Sequence, residues 1–154
     1  MKSQRQNKYN GTASEHLVCA DLWIQGYKAY MVHGDIFDVV LKAENQLYKI
    51  QVKSSTNPKY NTNSLTFNLS RGCKSKDLYR KRDIDVWAFV DLMYKKVCYI
   101  DVQDLNNKWK ITIPRKKFKD LSLKVLLEVV GNFIGVAISS STSSCHPISI
   151  SSWI

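Results

Sequence analysis

Apolar and polar positions change period several times along the chain, and each change marks an element. After a polar, basic stretch over residues 1–10, Gly11-Thr-Ala-Ser-Glu reads as a helix start. Leu17, Val18, Ala20, Leu22, Trp23 and Ile24 then supply a broad apolar face. Gly26 suits the stop, where a left-handed residue is commonly needed. Residues 27–32 predict a short strand, His33-Gly34-Asp35 a turn and residues 36–41 a second strand. Glu44-Asn45-Gln46 predicts a hairpin turn into a third strand over 47–54, where Leu47, Tyr48, Ile50 and Val52 are β-prone.

Residues 55–63 read as a loop around Asn57-Pro58, and strand-like alternation resumes over 65–69. Two apolar-rich segments, 85–91 and 94–101, predict neighbouring strands. A second helix is expected over 117–130, with Pro114 near its start. The pattern is mixed α/β. It predicts a flexible basic arm over 1–10, one domain over 11–137 and a tail over 138–154, where the composition turns serine-rich. Ile148 and Ile150 alternate within that tail and leave room for an added edge strand at a subunit contact.

A length of 154 residues suits a single domain with a sizeable core. No apolar run is long enough to span a bilayer, and the polar start lacks the pattern of a secretory signal, so the cytoplasm is the expected compartment. Four scattered cysteines have no C-x-x-C spacing and the three histidines complete no metal-ligand pattern, which argues against structural zinc. Twenty-three Lys and Arg against 13 Asp and Glu give a formal charge of +10, which favours a polyanionic partner. Charge alone serves solubility or an acidic protein partner equally well.

The residue types between the second and third strands change the picture. On a strand over 47–54, Gln51 and Lys53 project to one face and Ile50 and Val52 to the other. Asp38 sits among Phe37, Val39 and Val40, where an unpaired carboxylate is costly. A hairpin would bring Asp38 to Gln51 and Lys53. Such a group suits phosphodiester hydrolysis: oxygen ligands hold a divalent cation, and the lysine positions water or stabilises developing charge. Glu15 could supply a second carboxylate if the first helix packs against the sheet. By residue type alone, a cross-strand ion pair with an exposed glutamine accounts for the same residues.

Order and spacing go further. Glu15 on a helix, then Asp38, then Gln51-Val52-Lys53 thirteen positions on, resembles the PD-(D/E)XK nuclease superfamily, which includes restriction enzymes, archaeal Holliday-junction resolvases and some intron-encoded homing endonucleases. The match covers roughly residues 11–54. The resemblance implies a restriction-endonuclease-like core, with a mixed central sheet flanked by helices. It assigns metal binding to Asp38, to the backbone carbonyl of Val52 and to Glu15, and catalysis to Asp38, Gln51, Lys53 and Glu15. Magnesium is the implied cofactor, with manganese as a substitute.

Two positions depart from the pattern: Gln51 is not acidic, and Phe37 stands where the family has proline. A neutral amide can coordinate through its oxygen but removes one negative charge, which weakens metal binding or changes the number of metals. A glutamine here, in a chain of nearly this length, is most similar to intron-encoded homing endonucleases of cyanobacterial type. The resemblance implies site-specific cleavage of double-stranded DNA by a homo-oligomer, a dimer or tetramer. A structure-specific nuclease of Holliday-junction type and a non-catalytic DNA-binding protein on a nuclease fold are the alternatives.

Basic residues supply candidate DNA contacts. Arg71, Lys74, Lys76, Arg80, Lys81 and Arg82, with Tyr79 among them, fall within twelve positions. Arg115, Lys116, Lys117 and Lys119 cluster at the start of the expected late helix, where cations oppose the helix dipole unless an anion binds. Amides and a tyrosine over 56–63 are candidates for base-edge readout. Each set also suits a solvated loop. No G-x-S-x-G elbow is present.

Overall fold

A computed structural model describes residues 4–34, 36–55, 63–71 and 77–118. Helix α1 spans Gln4–Ile24. Ser14, Val18 and Leu22 form its buried stripe at four-residue spacing. The buried Ser14 hydroxyl is satisfied by donating 2.7 Å to the carbonyl of Asn10, one turn back. At the other end Gly26 takes φ +89°. The amides of Gly26 and Tyr27 donate to the carbonyls of Trp23 and Leu22, closing the helix in a Schellman motif.

The helix starts at Gln4 rather than Gly11, and so takes in residues read from sequence as an arm. Gln, Arg and Lys are good helix formers, and Gln6 donates to Asn10 one turn on. Among the described residues, no helix is long and apolar enough to cross a membrane.

A five-stranded sheet carries the chain's centre, in the order β1-β2-β3-β7-β8. Its strands are β1 (Lys28–Met31), β2 (Val39–Ala43), β3 (Gln46–Ser55), β7 (Val86–Asp91) and β8 (Lys96–Asp101). Neighbours run antiparallel except for β3 and β7, which are parallel. The expected hairpin turn is a two-residue turn, with Glu44 at φ +53°. Strand β2 begins at Val39 rather than at residue 36. The backbone of Asp38 is nevertheless fixed at its start, donating to the carbonyl of Ile50 and accepting from the amide of Val32.

Alternation along β7 and β8 sorts the core into two layers. Val86, Ala88, Val90, Val97 and Tyr99 pack with Val18 and Leu22 of α1. On the other face, Trp87, Phe89, Cys98 and Ile100 pack against a second, two-stranded sheet, β4 (Ser64–Asn68) paired with β9 (Lys110–Pro114). Phe67 meets Phe89 there with ring centroids 4.9 Å apart. A short pair, β5 (Ser70–Arg71) and β6 (Asp77–Leu78), and two 3-10 turns, Val102–Leu105 and Arg115–Lys117, complete the described chain. All but the first residues of the expected late helix, the whole of the serine-rich tail and most of loop 55–63 lie outside the described residues.

Candidate active site

The start of β2 and the second half of β3 lie side by side in the sheet, and this places Asp38 against Gln51. The Ile50 and Val52 side chains enter the core beneath α1, so by the two-residue period Gln51 and Lys53 face the opposite layer, in register with Trp87 and Phe89 of β7. The Asp38 carboxylate accepts from the amide of Val52 at 2.8 Å and from the side-chain amide of Gln51. Burial pushes its pKa up; the Val52 amide, the Lys53 charge and Gln51 pull it back.

Gln51 is 7% exposed, and its Oε1 is buried without a hydrogen-bond partner among the described residues. A buried amide oxygen left in this state costs about 1–3 kcal/mol. Its Nε2 meanwhile serves Asp38 and lies 3.4 Å from the Val52 carbonyl.

Lys53 donates to the carbonyl of Ser70 at 3.2 Å. Its ammonium also lies 5.3 Å from the ring centroid of Tyr79 and 6.0 Å from that of Trp87, which stand edge to face. Burial raises the Tyr79 pKa and the Asp38 charge adds to the rise, so the phenol shares the field of the carboxylate. Glu15, partly buried on α1, is raised by burial first and by Asp38 second, with His33 and His16 opposing. The four residues Glu15, Asp38, Gln51 and Lys53 thus fall within one electrostatic neighbourhood.

A divalent cation would fit this donor set. Asp38 and Glu15 offer carboxylates, Val52 a carbonyl and Gln51 the buried oxygen without a partner, all hard ligands. Among the described residues no three His, Cys, Asp or Glu side chains come together, so a site here has to include the amide and the backbone.

The basic candidates divide. Arg71, Arg80, Lys81 and Arg82 border a cavity of about 590 Å³ that Tyr79 also lines. Lys116 and Lys117 sit in the 3-10 turn after β9, short of any described α-helix. Lys74, Lys76 and Lys119 lie outside the described residues. Arg115 is bound internally: its Nε donates 2.8 Å to Asp91, which is 2% exposed, and its guanidinium lies over Tyr94. Sequence reasoning gave no role to Trp87 or the Ser70 carbonyl, and placed Tyr79 only within the basic stretch offered for DNA contact. Trp87 reaches Lys53 only because β7 joins β3 after a crossover of some thirty residues, for which local pattern holds no signal.

A nuclease is what this arrangement and fold define, and the chain belongs to the PD-(D/E)XK endonuclease family, matched over residues 5–124. It is accordingly a phosphodiester hydrolase, of a family whose members typically use a divalent metal. In fold it is similar to the bacterial homing endonuclease I-Ssp6803I, with TM-score 0.63 and 17% identity, covering 89% of this chain and 100% of that one. A Holliday junction resolvase from Archaeoglobus fulgidus aligns with TM-score 0.47 and 21% identity, over 79% of this chain and 95% of that one. No curated protein matches the sequence.

Proposed function

We propose that the protein is a homing endonuclease, cutting both strands of duplex DNA at one long site with magnesium, or manganese in its place. The observation that carries this reading is the buried Oε1 of Gln51, without a partner among the described residues, beside the partly buried Asp38 carboxylate, whose field Lys53 shares. Asp38, Gln51, Glu15 and the carbonyl of Val52 would hold the cation. Bound there, it supplies charge neutralisation at the scissile phosphate and a more acidic water.

Lys53, held between Ser70 and two aromatic rings, orients that water or stabilises the charge that develops on the phosphate. Arg71, Arg80, Lys81, Arg82, Lys116 and Lys117 contact the DNA backbone, with Lys74 and Lys76 in the same stretch of sequence. One site per subunit and two strands to cut require two subunits, and a two-fold dimer, or a tetramer built from it, fits a pseudo-palindromic target. Similarity in fold to a homing endonuclease over all of that enzyme's length supports the homing reading.

The test is cleavage of a randomised duplex library with and without magnesium, read by sequencing the ends, with Asp38→Ala and Lys53→Ala as controls. Recurrent cuts at one long motif, lost in both variants, are expected. Preferential cutting of four-way junctions whatever their sequence would replace the homing reading. A second reading draws on the hydrogen bond from Gln51 to Asp38, which satisfies the carboxylate without a cation: a DNA-binding protein that no longer cuts. Tight DNA binding with no cleavage in either metal would establish it.

A further inference from the structure

The cavity of about 590 Å³ beside the candidate site has two walls of different chemistry. One is basic, with Arg71, Arg80, Lys81 and Arg82. The other comes from the loop between the 3-10 turn Val102–Leu105 and β9, and brings Asn106, Asn107 and Trp109. Tyr79 also lines the cavity, and the Lys53 ammonium lies over the same ring, so the hollow is one side chain away from the candidate reaction centre.

We propose that this cavity receives a single unstacked nucleotide of the bound DNA strand, close to the phosphate that is cut. The inference rests on the nuclease reading above. A duplex is too wide for a hollow of this size, whereas one nucleotide is of the size such pockets admit. Its chemistry matches in parts. Trp109 is 48% exposed, a large aromatic face left to solvent, and base on aromatic stacking is worth about 1–3 kcal/mol. The asparagine amides offer the paired donor and acceptor that read a base edge once it leaves the stack. The cations take the phosphate.

The loop is built to hold this wall in place. The carbonyl of Trp109 accepts from the amide of Leu69, and Lys108 and Asn106 donate back to Leu105 and Gln103. Asn107 takes φ +62°, a left-handed conformation that asparagine tolerates better than most residues. Two carboxylates also line the cavity. Asp83 is engaged by the amide of Arg80 and the guanidinium of Arg82, while Asp77 disfavours a second phosphate rather than a neutral base.

Binding, read by fluorescence anisotropy in the absence of metal, tests this without relying on cleavage. Labelled duplexes of one sequence carry a single mismatch moved along the site, because a mismatched base has already lost much of its stacking cost. One mismatch position should tighten binding roughly tenfold, and Trp109→Ala and Asn107→Gly should each abolish that gain. Asn107→Gly keeps the left-handed backbone, so it guards against a folding defect in the tryptophan variant. Equal binding of all duplexes, or a gain that survives both substitutions, would overturn the proposal. So would a pocket that takes up free deoxyadenosine monophosphate yet shows no mismatch gain. If wild type binds with the expected gain but cuts nothing, the nuclease reading fails and the pocket stands; cutting without a gain is the reverse.

Discussion

Gln51 donates a hydrogen bond from its side-chain amide to the Asp38 carboxylate, thirteen residues earlier in the chain. In this geometry the amide nitrogen meets the charge that a cation would otherwise meet, while the amide oxygen stays buried without a partner among the described residues. Replacing Gln51 by Glu sets two carboxylates against each other. The metal-free protein should lose about 1–2 kcal/mol of stability, and magnesium should bind more tightly and restore it. Chemical denaturation and titration calorimetry of both proteins, with and without magnesium, check this; unchanged metal affinity would remove Gln51 from the site.

Lys53 is confined by the Ser70 carbonyl and the rings of Tyr79 and Trp87. If it acts on the reacting phosphate or water, Lys53→Ala should lower single-turnover cleavage about a hundredfold or more while DNA affinity changes little. Tyr79→Leu removes one wall of the enclosure and should lower single-turnover cleavage less than Lys53→Ala does. A loss confined to DNA affinity in Lys53→Ala would make the lysine a backbone contact instead.

Arg115 and Asp91 join the end of β7 to the turn after β9. Arg115→Met leaves the buried Asp91 carboxylate with only the backbone amides of Met93 and Tyr94 as donors, and should cost about 3 kcal/mol. The salt dependence of DNA binding should stay as in wild type, because the charge of this arginine is taken up by Asp91. A shallower salt slope at unchanged stability would assign it to phosphate instead.

Asp21 accepts from the Tyr99 hydroxyl at 2.7 Å and from Gln25 at 2.6 Å, and burial raises its pKa above 3.8 despite both bonds. The folded state therefore holds the proton more tightly than the unfolded chain does. The resulting stability is fully present below pH 3.8 and is lost as pH rises through the higher folded value. In metal-free protein, Asp21→Asn should flatten part of this decline while keeping an acceptor for Tyr99. Denaturant midpoints across that range, identical in slope for both proteins, would contradict it.

Local period made the first hairpin legible. Asp38, Gln51 and Lys53 could be grouped from sequence because β2 and β3 are adjacent and Lys49, Gln51 and Lys53 alternate with Tyr48, Ile50 and Val52. The helix start was not legible, since residues 4–10 are helix formers without an apolar face, and periodicity is silent there. Strand β9 does alternate, with Ile111 and Ile113 inward, but five residues ending in proline give a weak signal. The role of Arg115 was hidden for another reason: its partner lies 24 residues earlier, and a cation's partner is fixed by tertiary contact rather than by its neighbours in sequence.

Strand β3 carries Ile50 and Val52 into one core layer and Gln51 and Lys53 toward the other, between an antiparallel and a parallel neighbour. A slip of one residue would bury the lysine under α1 and turn the isoleucine outward. The β2–β3 pairing sets Asp38 beside Gln51 on its own, whereas the Lys53 ammonium meets the Trp87 ring only where β7 lies alongside β3, so the carboxylate and the lysine of the site owe their surroundings to different strand pairings.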